Sequence, residues 1–144
     1  MIVKQTRQTR TLLGRLVAGE EVVASLREIV RAERVDAGWL RAHGVLEDAE
    51  VALWNPLDRR FDTVWREVGP AELASLSGTI ALRGGFPDIA PRAVLMCRGP
   101  RNAAVAGLLL SARALVVEFA VDVYDDAEVH RLDDPDTGLA PWDP

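Results

Sequence analysis

The clearest periodicity in the chain lies shortly after residue 20. Val22, Val23, Leu26, Ile29 and Val30 fall at i, i+1, i+4, i+7 and i+8, one continuous stripe of a 3.6-residue repeat. Glu20 and Glu21 stand before that stripe, while Arg27, Arg31 and Arg34 lie within and after it. Acids at the start and bases toward the end complement the partial charges of a helix. One main helix is predicted here, with its apolar stripe packed on a sheet.

Beyond Gly38 the pattern changes to alternation. A strand is expected to begin near Thr11-Leu12-Leu13, and Val51 and Leu53 alternate with Ala52 and Trp54 before Asn55-Pro56-Leu57-Asp58, which has the composition of a tight turn. A hairpin is therefore predicted, returning through residues 61–68. Residues 72–82 read as a further strand closed by Arg83-Gly84-Gly85, and residues 93–97 and 103–110 as two more around Arg98-Gly99-Pro100-Arg101-Asn102. In the last strand Leu115, Val117, Phe119, Val121 and Val123 share a face predicted to be buried, with Glu118 and Asp122 opposite. No internal repeat is visible. One helix among many strands implies an α+β domain, mostly antiparallel sheet packed with one main helix.

The two ends differ from this middle. Residues 1–10 carry Lys4, Arg7 and Arg10 among Gln and Thr and are expected to be a flexible basic start. Residues 125–144 are rich in Asp and Pro, with Val129, Leu132, Leu139 and Trp142 as their apolar anchors, and read as an acidic tail. Residues 11–124 are left as a single domain.

Composition narrows the function classes. A length of 144 residues suits one domain, and 49% hydrophobic with 27% charged residues is a globular balance. The net charge of −5 opposes a polyanion at long range, so any contact with DNA must be local. A lone cysteine, Cys97, forms no internal disulfide and fits a reducing compartment. The start lacks the apolar stretch of a signal peptide, and residues 103–110, the longest apolar run, are far short of the roughly 20 that a membrane helix needs. A cytoplasmic protein with no membrane contact is expected.

Five strings carry a family resemblance. Gly19-Glu20-Glu21-Val22-Val23-Ala24-Ser25-Leu26 opens the helix; Ala37-Gly38-Trp39 and Gly44-Val45-Leu46-Glu47-Asp48-Ala49-Glu50 follow it; Glu72-Leu73-Ala74-Ser75-Leu76-Ser77-Gly78 and residues 112–121, with Glu118, complete the series. In this order they resemble the PPC domain, also called DUF296, over roughly residues 12–124. The resemblance implies a trimeric domain with an antiparallel sheet, found in plants beside AT-hook DNA-binding segments and in prokaryotes usually alone.

Prokaryotic members of that family commonly carry a His-x-His pair after a Gly-x-Pro turn and a later Gly-Gly-His, which look like a three-histidine metal site. Such a set with an open position is what a catalytic zinc needs. Here the turn is present as Gly85-Phe86-Pro87, but the histidine positions fall on Ala90 and Arg92, and the Gly-Gly-His region on Ala106-Gly107-Leu108. Residues 84–112 contain no histidine in any register. No metal and no other cofactor is expected.

Arg92 is the informative replacement. Its guanidinium can hold a carboxylate or phosphate through two parallel hydrogen bonds, or form a structural ion pair with Asp88 or Glu118. His43, Glu72, Ser75 and Ser77 are the other candidate contacts for a ligand or partner. His43 and His130, the two histidines, lack a short ligand spacing, and Cys97 reads as a small buried apolar residue. No Ser, His and acid series supports nucleophilic catalysis. Arg98-Gly99-Pro100-Arg101 differs in order from the AT-hook core Arg-Gly-Arg-Pro, and the basic start offers no base-reading element, so direct specific DNA binding is not expected. The leading expectation is a non-catalytic homotrimeric binding or assembly protein for a partner protein or small anion. The alternatives are a DNA-associated regulator or a degenerate subunit beside a metal-binding relative.

Overall fold

The computed structural model describes residues 3–7, 9–98 and 103–143, with the backbone alone of Glu67. In chain order the elements are β1 Thr9–Leu16, α1 Val22–Ala32, β2 Ala37–Asn55, β3 Arg60–Arg83, β4 Phe86–Cys97, β5 Ala103–Tyr124, β6 His130–Arg131 and β7 Trp142–Asp143. The turn expected over residues 98–102 lies mostly outside the described residues.

The helix forms where the stripe put it. Glu21 caps it by accepting from the Ala24 amide, and its other oxygen accepts from the Ala112 amide at 2.9 Å. One carboxylate thus both starts the helix and ties it to β5. Val22, Val23, Leu26 and Val30 are buried, with Ile29 packed at the margin. At the far end Arg31 Nε donates to the Pro87 carbonyl at 3.1 Å, so the helix also lies along β4.

The strands pair antiparallel as β1–β5, β5–β2, β2–β3, β3–β4 and β4–β5, so that β2, β3, β4 and β5 form a closed ring of pairings. Strand β5 closes it. Its residues 103–108 pair with β4, and its residues 108–123 with β2. Closure removes edges that would otherwise present unpaired backbone groups. The core lies between the helix and the inner faces, with Leu40, Leu46, Leu73, Leu76, Leu95, Leu109, Val117 and Val121 at 1% exposure or less.

Three expectations from the alternation pattern are corrected. Residues 61–68 and 72–82 belong to one strand, β3, because Gly69 and Pro70 sit where the β2–β3 register jumps from Leu46↔Ala71 to Asp48↔Val68. Proline, lacking an N–H, is tolerated at such a bulge. Residues 103–110 and 115–123 likewise form one strand, in whose first part Gly107 and Leu109 are buried while Leu110 is 38% exposed. Leu115 is not on the buried face. The register moves from Val45↔Val116 to Leu46↔Ala114, leaving Leu115 extra and 46% exposed while Ala114 turns inward. A one-residue slip reverses the facing of every residue beyond it.

The ends are tied down as well. Thr6 Oγ1 and the Arg7 amide both donate to Asp126. The segment read as a tail carries β6, parallel to β3 through Leu82↔His130 and Arg83↔Arg131, and β7, antiparallel to β6. Val129 is buried against Ala37 and Ala81. Trp54 Nε1, at the β2–β3 hairpin, donates to the Thr137 carbonyl at 3.0 Å, so hairpin tip and C-terminal segment clasp one another.

Gly44, at φ +154°, lies opposite another bulge, and a Cβ there would meet the Val116 carbonyl oxygen at 2.1 Å. Gly19, at φ +89°, has open space around it. In urea unfolding, Gly44→Ala is therefore expected to lose about 3 kcal/mol or more and Gly19→Ala about 1 kcal/mol. Equal losses would contradict the close approach of β2 and β5 at Gly44.

Candidate functional site

Pairing between β4 and β5 ends at Arg92↔Leu108. Where the strands part, a cleft of about 470 Å³ opens, lined by α1 through Val23 and Arg27, by residues 88–92 of β4 and by residues 108–110 of β5. Phe61 of β3 and residues 138–141 of the C-terminal segment form its remaining wall. Gly138 fits under the hairpin only because it lacks a side chain: at φ +68°, a Cβ would lie 1.6 Å from the Arg59 carbonyl oxygen. The clasp between the hairpin and the C-terminal segment thereby shapes the cleft.

Four arginines and one aspartate line this space. Arg27 Nε holds Asp88 Oδ1 at 2.8 Å, which occupies the acid. Arg83 pairs with Asp133. Arg131 donates to the Ala140 carbonyl at 2.9 Å and to Thr79 Oγ1, and its buried Nε has no hydrogen-bond partner among the described residues. Burial pushes the Arg131 guanidinium below its ordinary value; Asp88 counteracts this and Arg83 adds to it. Arg92 lies with its guanidinium carbon 5.7 Å from the centre of the Phe61 ring, a cation–π contact. Neither ion pair considered for it forms, since Asp88 is held by Arg27 and Glu118 lies 3.4 Å from His43 Nε2.

The positions that the family resemblance assigns to metal ligands, Ala90, Arg92 and Leu108, all line this one cleft. Their side chains do not fit a metal: two are hydrocarbon and the third is a permanent cation. Among the described residues no three His, Cys, Asp or Glu side chains cluster so as to hold an ion.

The remaining candidate residues lie elsewhere. His43, Ser75 and Ser77 share a broad, open groove of about 860 Å³ on the sheet with Trp39, Arg41 and Glu118. The β3 bulge between Leu73 and Ser75 brings Ser75 into it, and Ser77 Oγ accepts from Trp39 Nε1 at 2.9 Å. Ser77 is also the register partner of Arg92, so the groove and the cleft adjoin. Glu72 lines a separate, shallow depression with Met96 and Cys97. Cys97 is only partly buried. His130 is apart from His43 and binds Glu128 at 2.5 Å. Sequence reasoning missed Arg27, Phe61, Arg83 and Arg131, which come from four distant stretches of chain and share no motif. The one available signal was Arg131 itself, a base within an acidic segment.

Together these features define a single-domain α+β protein, a helix-covered and mostly antiparallel sheet with an arginine-lined cleft at the parting of two strands. The chain belongs to the Plants and Prokaryotes Conserved (PCC) domain family, whose model matches residues 3–124. In fold it is similar to a metal-containing protein from Archaeoglobus fulgidus, with a TM-score of 0.89 and 23% identity over 99% of each chain. It is equally similar to a plant- and prokaryote-conserved (PPC) protein from Pyrococcus horikoshii, with a TM-score of 0.89 and 21% identity over 100% of this chain and 98% of the other. A candidate DNA-binding protein from Bacteroides thetaiotaomicron gives a TM-score of 0.84 at 22% identity, over 92% of this chain and 91% of its own. No curated protein matches the sequence.

The turn that holds the cleft's C-terminal wall depends on Asp134. Its carboxylate accepts from Thr137 Oγ1 at 2.8 Å and from the Asp136 amide at 2.9 Å, and these bonds, the hydroxyl first, hold it below the usual carboxylate value. A lowered pKa means the stabilisation is complete above the unfolded value of 3.8 and is lost as pH falls through the folded one. In an NMR titration the side-chain carboxyl carbon of Asp134 is expected to titrate with its midpoint below that value. Titration at or above it would contradict the turn's role.

Proposed function

We propose that this PPC-domain protein is a non-catalytic binding module that holds a small anion in the cleft beside Arg92 and works as a homotrimer. The observation that carries this reading is the identity of the three residues in the cleft at the supposed ligand positions: alanine, leucine and an arginine without an ion-pair partner among the described residues. A guanidinium fixed against an aromatic ring keeps its outward N–H groups free to grip a carboxylate or phosphate. Arg131 adds positive potential there, whereas Arg27 and Arg83 are balanced by Asp88 and Asp133.

The trimer is favoured by the family and by the sheet face that the helix leaves uncovered, where Leu13, Val94, Met96 and Val116 are 81%, 39%, 38% and 36% exposed. His43, Ser75 and Ser77 lie on this side, and Glu72 near it, as candidate contacts for a partner subunit. Light scattering at micromolar concentration is expected to give three times the chain mass of 15.7 kDa. A monomer would overturn the assembly.

Anion binding is tested by calorimetry with inorganic phosphate. Millimolar phosphate is expected to bind, and Arg92→Ala to weaken it about tenfold, the worth of one charge-assisted contact. No binding, or indifference to the substitution, would sink the reading.

A DNA-associated role has one supporting observation, the resemblance in fold to a candidate DNA-binding protein. The net charge of −5 and the tethering of Thr6 and Arg7 to Asp126 weigh against it. In gel shifts at low salt no complex with duplex DNA is expected. A complex abolished by deleting residues 1–10 would establish the DNA role instead.

A further inference from the structure

The cleft has two chemical halves. One is cationic. Arg92 is held by Phe61 yet engages no carboxylate among the described residues, while Arg131 is pinned by the Thr79 hydroxyl and the Ala140 carbonyl. Two nitrogens of Arg131 are thus taken and the third is buried, so it contributes a fixed positive field rather than a free donor. Arg83, its register partner on the neighbouring strand, is paired with Asp133, so Arg92 and Arg131 are the cleft cations without a carboxylate partner among the described residues.

The other half is hydrocarbon. Phe61, Leu108, Leu110, Leu139 and Pro141 are among the apolar residues of the remaining lining. At about 470 Å³ the space falls in the range of sites for small organic ligands, and is far more than an inorganic anion fills. A bare phosphate would leave this wall wet.

We infer that the cleft takes a small organic acid with an apolar body, its anionic head on Arg92 in the field of Arg131, and its ring or chain against Phe61, Leu108 and Leu139. This inference rests on the anion-binding reading above and specifies its ligand class. The acid group sets orientation, because Arg92 is the one cleft arginine with its hydrogen-bond donors uncommitted among the described contacts. The body sets affinity, because the apolar wall gains only from a ligand that displaces water along it. A neutral ligand of the same shape would leave the cationic corner without a counter-charge.

The test is calorimetry on the full chain with three probes: phenylacetate, inorganic phosphate and benzyl alcohol. Phenylacetate is expected to bind at least about tenfold more tightly than phosphate, and benzyl alcohol not measurably. Arg92→Ala should weaken phenylacetate and phosphate alike, by about tenfold, whereas Leu139→Ser should weaken phenylacetate and leave phosphate unchanged. Both side chains reach the surface, and unchanged thermal unfolding of each variant checks that the fold persists. Phosphate binding as tightly as phenylacetate would overturn the apolar-body inference while preserving the anion site. Binding of neither would remove both, and benzyl alcohol binding as well as phenylacetate would remove the role of the charge.

Discussion

Strand β5 is hydrogen-bonded to β4 over its first residues and to β2 over the rest, with β1 added at its end, and the geometry of the molecule depends on this sharing. Because Leu108 pairs at once with Arg92 of β4 and Ala52 of β2, those two strands flank β5 on opposite sides, and β4 shares its side with β1 further along. Leu108 is the last residue of β5 that β4 engages. Beyond it β4 and β5 separate, the helix lies along both, and a cleft is left at the fork. Glu21 fixes the arrangement from the helix side by capping α1 and accepting from the Ala112 amide.

Bulges make the closure possible. Residues 69–70, Ala74 and Leu115 are each extra relative to a facing strand. Each such insertion bends and twists its strand. The same insertions place side chains: Ser75 is carried to the groove beside His43, and Leu115 is turned outward. The clasp of the hairpin with the C-terminal segment then walls the fork, with Gly138 passing beneath Arg59.

Much of this was legible in the chain, and the rest failed for identifiable reasons. The helix could be read because its stripe is local and regular. The hairpin could be read because Asn55 carries the turn chemistry, accepting from the Leu57 amide at 2.9 Å. Strand continuity through Gly69-Pro70 could not, since composition there marks a break and only the partner strand reveals a bulge. Leu115 was misfaced because strict alternation has no means of counting an inserted residue. The C-terminal segment gave little periodicity, as its two paired stretches are two residues each. At the site, the absent histidines were plain and Arg92 was singled out. Its setting depended on Phe61, 31 positions earlier, and on Arg131, 39 positions later, a convergence that only the closed ring creates.

The proposal turns on Arg92 standing at the fork of β4 and β5 where the family resemblance implies a metal ligand. Elemental analysis of the purified chain, before and after incubation with excess zinc and desalting, addresses this most directly. The expected result is no stoichiometric transition metal in either sample. One ion per chain, retained by the wild type and lost in a variant at the cleft, would contradict it.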